Sequence, residues 1–248
     1  MARAGRAEVR SGCEAVSAFH KIIANVRSAL ERGSRSSAER TEPVADVVPI
    51  AEGARRAEFI SQFARELEAL GGHFLGVLTP DYAKARIVAL ARELGVRTAA
   101  VGDGVVLDAN PIARALEHDG VALVGRDGMA AAADQRDAVR AQFARCDLSV
   151  VEAHYAISAT GTVAVVATPG RPNSLTLLPP TNVIMVHVDR VMPDLATVVT
   201  ALGAETIATH RVSLITGPSR TADIEKMIVL GVHGPKQLYA AVIWPPGS

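Results

Sequence analysis

Cysteine is almost missing from this chain: Cys13 and Cys146 stand far apart, and no C-x-x-C pair occurs. Two such thiols cannot build the disulfide framework of a small secreted domain, nor the thiolate sets that hold zinc or an iron–sulfur cluster. A cytoplasmic, reducing setting fits that usage. Charge imbalance is missing as well. Lysine plus arginine total 26, and so do aspartate plus glutamate, so no overall field draws in nucleic acid or an anionic membrane. No apolar run approaches the roughly 18 residues of a bilayer-spanning helix, and the opening MARAGRAEVRSG carries charge without an apolar core segment. Neither export nor a membrane span is expected. The motif G-x-x-x-x-G-K-[ST] does not occur, which excludes P-loop nucleotide chemistry. Gly102-Asp103-Gly104 follows an expected strand, but Leu107 stands where a dinucleotide motif needs its third glycine, so a plain turn is the reading there. The seven histidines, at 20, 73, 118, 154, 187, 210 and 233, lack the spacing of a metal site. No metal and no cofactor is expected.

What the chain has is apolar residues, 49% of 248, enough for a sizeable core. They come in two rhythms. Residues 14–32, 55–70, 80–94, 110–117 and 129–145 carry apolar positions at helical spacing, while 74–78, 98–101, 121–124 and 148–151 are short apolar runs between turn signals. Strand and helix alternate at the spacing that parallel crossovers demand, so the fold expected is an α/β, Rossmann-like sheet with helices on both faces. Past Cys146 the rhythm changes. Runs at 148–151 and 163–167 have only the irregular 153–160 between them, followed by a strand at 183–188, a helix at 191–202, a strand at 212–216, a helix at 221–230 and a strand at 239–243. Residues 34–43 are polar and read as a linker, which divides the chain into an N-terminal helix with its linker, 1–43, and one domain, 44–248.

Two polar clusters are candidates for a site. In Thr160-Gly161-Thr162 hydroxyls flank a bare backbone, a combination suited to a polar ligand. Gly217, Ser219, Arg220 and Thr221 lie between the carboxyl end of the expected strand 212–216 and the start of the expected helix 221–230. Free N–H groups and the helix macrodipole favour an anion there, and the guanidinium adds a planar fork for carboxylate or phosphate. The competing reading is simple N-capping by Ser219 or Thr221. Arg171 sits in a polar loop beside Pro172, and His154 and His233 fall at the ends of elements, where open α/β sheets place ligands. Glu152 and His154 are the only acid–base candidates close to the threonine loop. Cys146 leads directly into an apolar run and reads as core rather than nucleophile. The expectation is that the two loops meet over the ends of one sheet and offer amides and a guanidinium to an anion.

The segments Ala156-Ile157-Ser158-Ala159-Thr160-Gly161-Thr162, Leu177-Leu178-Pro179-Pro180, ITGPSRTADIE at 215–225 and GVHGP at 231–235 together resemble the lactate utilization protein C family of stand-alone LUD domains. The resemblance covers most of 55–243. It implies a fold like that of the NagB/RpiA/CoA-transferase group and a role in oxidising L-lactate to pyruvate beside partner proteins that carry iron–sulfur clusters. Cysteine scarcity suits that division of labour. The fold group also implies an alternative, a free-standing isomerase or CoA-transferase-like enzyme acting on a small carboxylate or phosphate ester. Against the family pattern this chain departs twice. An acidic residue is usual where it has His154, and a glutamate where it has Ala159, which leaves Glu152 and Asp147 as the carboxylates nearby.

Overall fold

The computed structural model describes residues 52–104, 111–125, 136–204, 211–222, 228–230 and 234–244. The expected N-terminal helix 14–32 and linker 34–43 lie outside them. Six strands form one parallel sheet: β1 (His73–Leu78), β2 (Thr98–Val101), β3 (Ala122–Leu123), β4 (Leu148–Ala153), β7 (Thr181–His187) and β12 (Gln237–Ile243), in the order β1-β12-β7-β4-β2-β3. Strands β4, β7 and β12 are buried on both faces, which is why apolar residues occupy consecutive positions, as in Val150-Val151, Val183–Val186 and Leu238–Ile243, rather than alternating ones. Their side chains divide by parity. Leu148, Val150, Val183, Met185, Tyr239, Ala241 and Ile243 face α2 (Pro80–Glu93) and α3 (Ile112–His118). Val151, Ala153, Ile184, Val186, Leu238, Ala240 and Val242 face α1 (Glu52–Ala69) and Phe143 of α4 (Arg136–Phe143).

Local chemistry sets the ends of these elements. α2 opens with Thr79 as cap residue, Pro80 in its first turn and Asp81 behind it, a proline costing nothing where the N–H has no intrahelical partner. α2 buries Ala83, Ile87, Leu90 and Ala91 along one stripe. It closes as Gly95, at φ +64°, turns the chain out and the Val96 amide donates to Ala91 O at 2.9 Å.

The second sheet was not anticipated. β5 (Tyr155–Ile157), β6 (Thr162–Val166), β8 (Val191–Met192) and β9 (Val212–Ile215) make a four-stranded sheet in the order β8-β5-β6-β9, antiparallel except where β5 meets β8. Ala156, Val163 and Val165 on its inner side join the core under α1, and Tyr155, Ile157 and Ala164 on its outer side pack with Val198 of α5 (Leu195–Ala204). The expected helix 191–202 therefore starts late. Met192 precedes Pro193, and a residue before proline is pushed out of the α region. The helix begins after Asp194, whose carboxylate accepts from the Thr197 amide and hydroxyl, both at 2.8 Å. That capping holds the Asp194 carboxyl below its ordinary value.

Candidate functional site

The two polar loops do meet. β6 and β9 pair with Val163 opposite Ile215, which sets Thr162 beside Thr216, their hydroxyl oxygens 2.8 Å apart, and Thr160 Oγ1 lies 2.8 Å from Thr162 Oγ1. What they surround is the end of α1. Gly161 has φ +60°, and a Cβ there would stand 2.6 Å from the Glu66 carbonyl carbon, so only glycine lets the turn lie on the helix backbone. Gly217, at φ +115°, approaches Leu70 O in the same way. Arg220 Nη2 donates to Leu70 O at 2.5 Å, placing a cation at a helix C-terminus, the end whose dipole favours one.

The anion argument from a helix N-terminus does not hold here. Where a helix was expected over 221–230, β10 (Arg220–Ala222) pairs antiparallel with β11 (Ile228–Leu230). Short apolar runs fit either structure, and β-branched Thr221, Ile228 and Val229 suit strands. Ser219 gives its amide to Pro235 O at 2.8 Å rather than capping a helix. Thr221 lies in β10, and His233 is outside the described residues.

A different group of polar side chains gathers at the carboxyl end of the parallel sheet. After β2 the chain moves outward to β3, and after β4 it moves the other way, through β7 to β12, so the adjacent ends of β2 and β4 form a topological switch point. Ligands of open α/β sheets bind at such points. Gly102, Asp103 and Gly104 follow β2, Glu152 and His154 sit at the end of β4, and Arg171 arrives from the turn after β6, where Thr168 and Arg171 exchange backbone hydrogen bonds of 3.0 and 3.1 Å.

Arg171 is the centre of this group and is only 4% exposed. Its Nε donates to Val166 O at 3.1 Å, its Nη1 to Asp103 O at 3.1 Å, and its Nη2 lies 3.2 Å from His154 Nδ1. A guanidinium has no acceptor, so Nδ1 must accept, and the neutral His154 ring then carries its proton on Nε2. Burial holds the Arg171 guanidinium below its ordinary value, and the nearby Asp103 and Glu152 charges offset that only in part. The three described bonds of Arg171 thus go to two carbonyls and an imidazole, with both carboxylates close enough to be felt. Asp103 Oδ1 accepts from Thr168 Oγ1 at 3.1 Å.

Two glycines make room for those carboxylates. A Cβ at Gly104 would stand 2.7 Å from Glu152 Cδ, and one at Gly170 would stand 2.5 Å from Asp103 Cγ. Neither glycine is among those with positive φ, so what each provides is space rather than an unusual backbone. From the sequence Asp103 and Gly104 were read as a plain turn, and Gly170 was not singled out. The signal that could have found Asp103 was its place directly after a strand, once β2 was known to neighbour β4. Asp147 is no substitute for Glu152, because it lies at the opposite, amino end of the sheet. Burial raises its carboxyl, but bonds from the Arg97 and Thr98 amides and the Thr98 hydroxyl, each 2.9 Å, outweigh that and hold it below its ordinary value. Cys146 is core, as expected. It is 2% exposed, and burial pushes its thiol up to about 11. Among the described residues no His, Cys, Asp and Glu cluster could hold a metal, and no helix is long and apolar enough to cross a membrane.

Residues 60–243 match the LUD domain model. The chain belongs to the LUD domain family. This LUD domain protein is 29% identical over 160 residues to the uncharacterized protein YkgG of Escherichia coli, covering 63% of this chain and 67% of that one. It is 34% identical over 104 residues to lactate utilization protein C of Macrococcus caseolyticus, 40% of this chain and 45% of the relative. With the protein of that name from Halalkalibacterium halodurans it shares 30% over 95 residues, 37% and 41% of the two chains. The matched stretch therefore spans less than half the length of these two relatives. A crystal structure of a DUF162 family protein from Deinococcus radiodurans superposes with a TM-score of 0.54 at 21% identity, over 79% of this chain and all of the other, and shares the fold.

Proposed function

We propose that this LUD domain protein is a non-redox component of an L-lactate utilization system, supporting oxidation of lactate to pyruvate beside partner proteins that carry the iron–sulfur clusters. The observation that carries this reading is the family match over 60–243, together with relatives named for lactate utilization. The chain's own chemistry agrees: an iron–sulfur cluster typically takes about four thiolates, and of two cysteines one is a buried thiol. The rim made by Thr160–Thr162 and Ser219–Thr221 serves, on this reading, for contact with partners rather than with a small anion. Arg220 Nη2 is given to Leu70 O and the hydroxyls of Thr160, Thr162 and Thr216 bond one another, while Ala159, Thr160, Thr216 and Arg220 remain exposed.

Deletion of the gene in its host should abolish or strongly slow growth on L-lactate as sole carbon source. A tagged copy should recover iron–sulfur proteins, detected by their visible absorbance. Replacing the exposed Thr160 by arginine should cut that recovery while the melting temperature stays within about 2 °C, the behaviour of an exposed site away from the core. Unimpaired growth on lactate, with no cluster-bearing protein recovered, would remove the reading.

A further inference from the structure

An edge strand leaves a row of backbone N–H and C=O groups unpaired, and folded proteins guard such edges with short length, bulges, charge or proline. Three of the four edges of the two larger sheets follow that rule. β3 and β8 are two residues long, and β1 carries a bulge, its register against β12 slipping between Phe74 and Gly76. β9 does not follow it. Val212-Ser213-Leu214-Ile215 runs in unbroken register against Val163–Val166 of β6, with no lysine, proline or charge in it. Among the described residues it pairs with β6 alone. The ladder fixes which groups face outward. Ala167 N–H donates to Arg211 O at 3.0 Å along the same register, and Ala164 O turns to the His154 amide on the β5 side. Ser213 and Ile215 therefore direct their backbone groups at β6, while Val212 and Leu214 direct theirs at the open edge. The side chains of those two residues, opposite Val166 and Ala164, lie on the outer face of the sheet and are 39% and 50% exposed. On that same outer side α5 adds exposed Leu195 and Val199.

We infer that β9 is a docking edge for a second copy of this chain, which adds its own β9 antiparallel to the first about a twofold axis at Ser213 and joins the two four-stranded sheets into one. Val212 of each copy then exchanges its outward N–H and C=O with those of Leu214 in the other, so both outward-facing residues are engaged at once. The strand's own sequence selects this occupant. Val212-Ser213-Leu214 reads apolar, polar, apolar in both directions, so the pairing that a twofold axis imposes sets valine against leucine on the outer face and serine against serine on the inner one. No charged residue lies within Val212–Ile215, so like charges are not brought opposite one another along the strand. The chain is also balanced at 26 positive and 26 negative residues, and two copies do not repel through net charge. A partner recognised by its charge would find no counterpart along this strand.

The test uses the full chain. Sedimentation equilibrium should give a mass near twice that of one chain in concentrated solution and a single-chain mass on dilution. Amide hydrogen exchange resolved to single residues, read on the unaltered protein at the same two concentrations, should show Val212 and Leu214 slowed at least about tenfold in the concentrated sample. Leu214→Pro removes an N–H that β6 does not use, and Leu214→Lys adds a charge of the kind that guards other edges. Each should be a folded monomer, by circular dichroism and sedimentation, where the unaltered chain is dimeric. If either variant fails to fold, exchange at Val212 and Leu214 of the unaltered protein still decides. A single-chain mass up to about 200 μM, well above a micromolar Kd, overturns the inference. So does a dimer whose Val212 and Leu214 amides exchange as fast as in the monomer, or one that persists in both folded variants. Protection already complete in the dilute monomer would give the edge to another segment of the same chain, and protection gained only with a different protein bound would give it to that protein; both outcomes overturn the inference too. Growth on L-lactate and recovery of iron–sulfur proteins are separate readouts, so this inference and the proposed function fail independently.

Discussion

The rim at the end of α1 and the switch-point edge of β2 and β4 are built from similar letters, an arginine, glycines and small polar residues, yet they use them oppositely. At the rim, Arg220 is exposed and its guanidinium closes a helix end through Leu70 O, while the threonine hydroxyls form a chain among themselves. At the switch point, Arg171 is buried and binds two carbonyls and an imidazole, with two carboxylates beside it. Polar residue types mark both places. Which of them has capacity for a ligand depends on where each donor and acceptor is already spent.

The comparison can be broken most sharply at Arg171. Arg171→Met should destabilise the domain by about 4 kcal/mol, because it leaves Val166 O and Asp103 O without their donor and removes the cation compensating two carboxylates. Urea denaturation measures this, and a loss under about 1 kcal/mol would mean that the guanidinium is not the brace described. Gly161→Ala should cost about 3 kcal/mol, since the residue has positive φ and its new Cβ would press on the backbone of α1. Thermal unfolding monitored by circular dichroism at 222 nm would show it as a lower midpoint; an unchanged midpoint would mean that the turn does not lie on the helix. Arg220→Ala should have the smallest effect, about 0.5–1 kcal/mol, the worth of an exposed C-terminal cap. Should Arg220→Ala cost as much as Arg171→Met in the same urea series, the distinction between a surface cap and a buried brace is lost.

Much of the fold was legible where burial is complete. Residues 183–186 and 239–243 have apolar side chains at consecutive positions because their strands are covered on both faces, and parallel pairing followed from the helices between them. α2 announced itself with Pro80 at one end and Gly95 at the other. The second sheet was not legible. β5 is three residues long and lies one residue after β4, so its apolar positions look like the tail of one strand. The antiparallel pair of β10 and β11 was mistaken for a helix because three-residue strands carry no period of their own. The late start of α5 was written in Met192-Pro193 and could have been read.

Of the candidate residues, Glu152, His154 and Arg171 do come together, although Arg171 was picked for a different reason from the other two. Thr160–Thr162 and Gly217–Arg220 also converge, but around a helix end rather than an anion-binding N-terminus. Asp103 was passed over because its neighbours failed a dinucleotide motif, a test of glycines that says nothing about the acid between them. The switch point itself cannot be read from one strand, since it depends on which strands are neighbours.

A last consequence concerns motion. Only His154 parts β4 from β5, and its amide donates to Ala164 O at 2.8 Å. A chain that crosses from one layer to the next within a single residue leaves no linker between them, and because Ala156, Val163 and Val165 share a core with Val151, Ile184 and Val186, swinging the two sheets apart would expose that core to water.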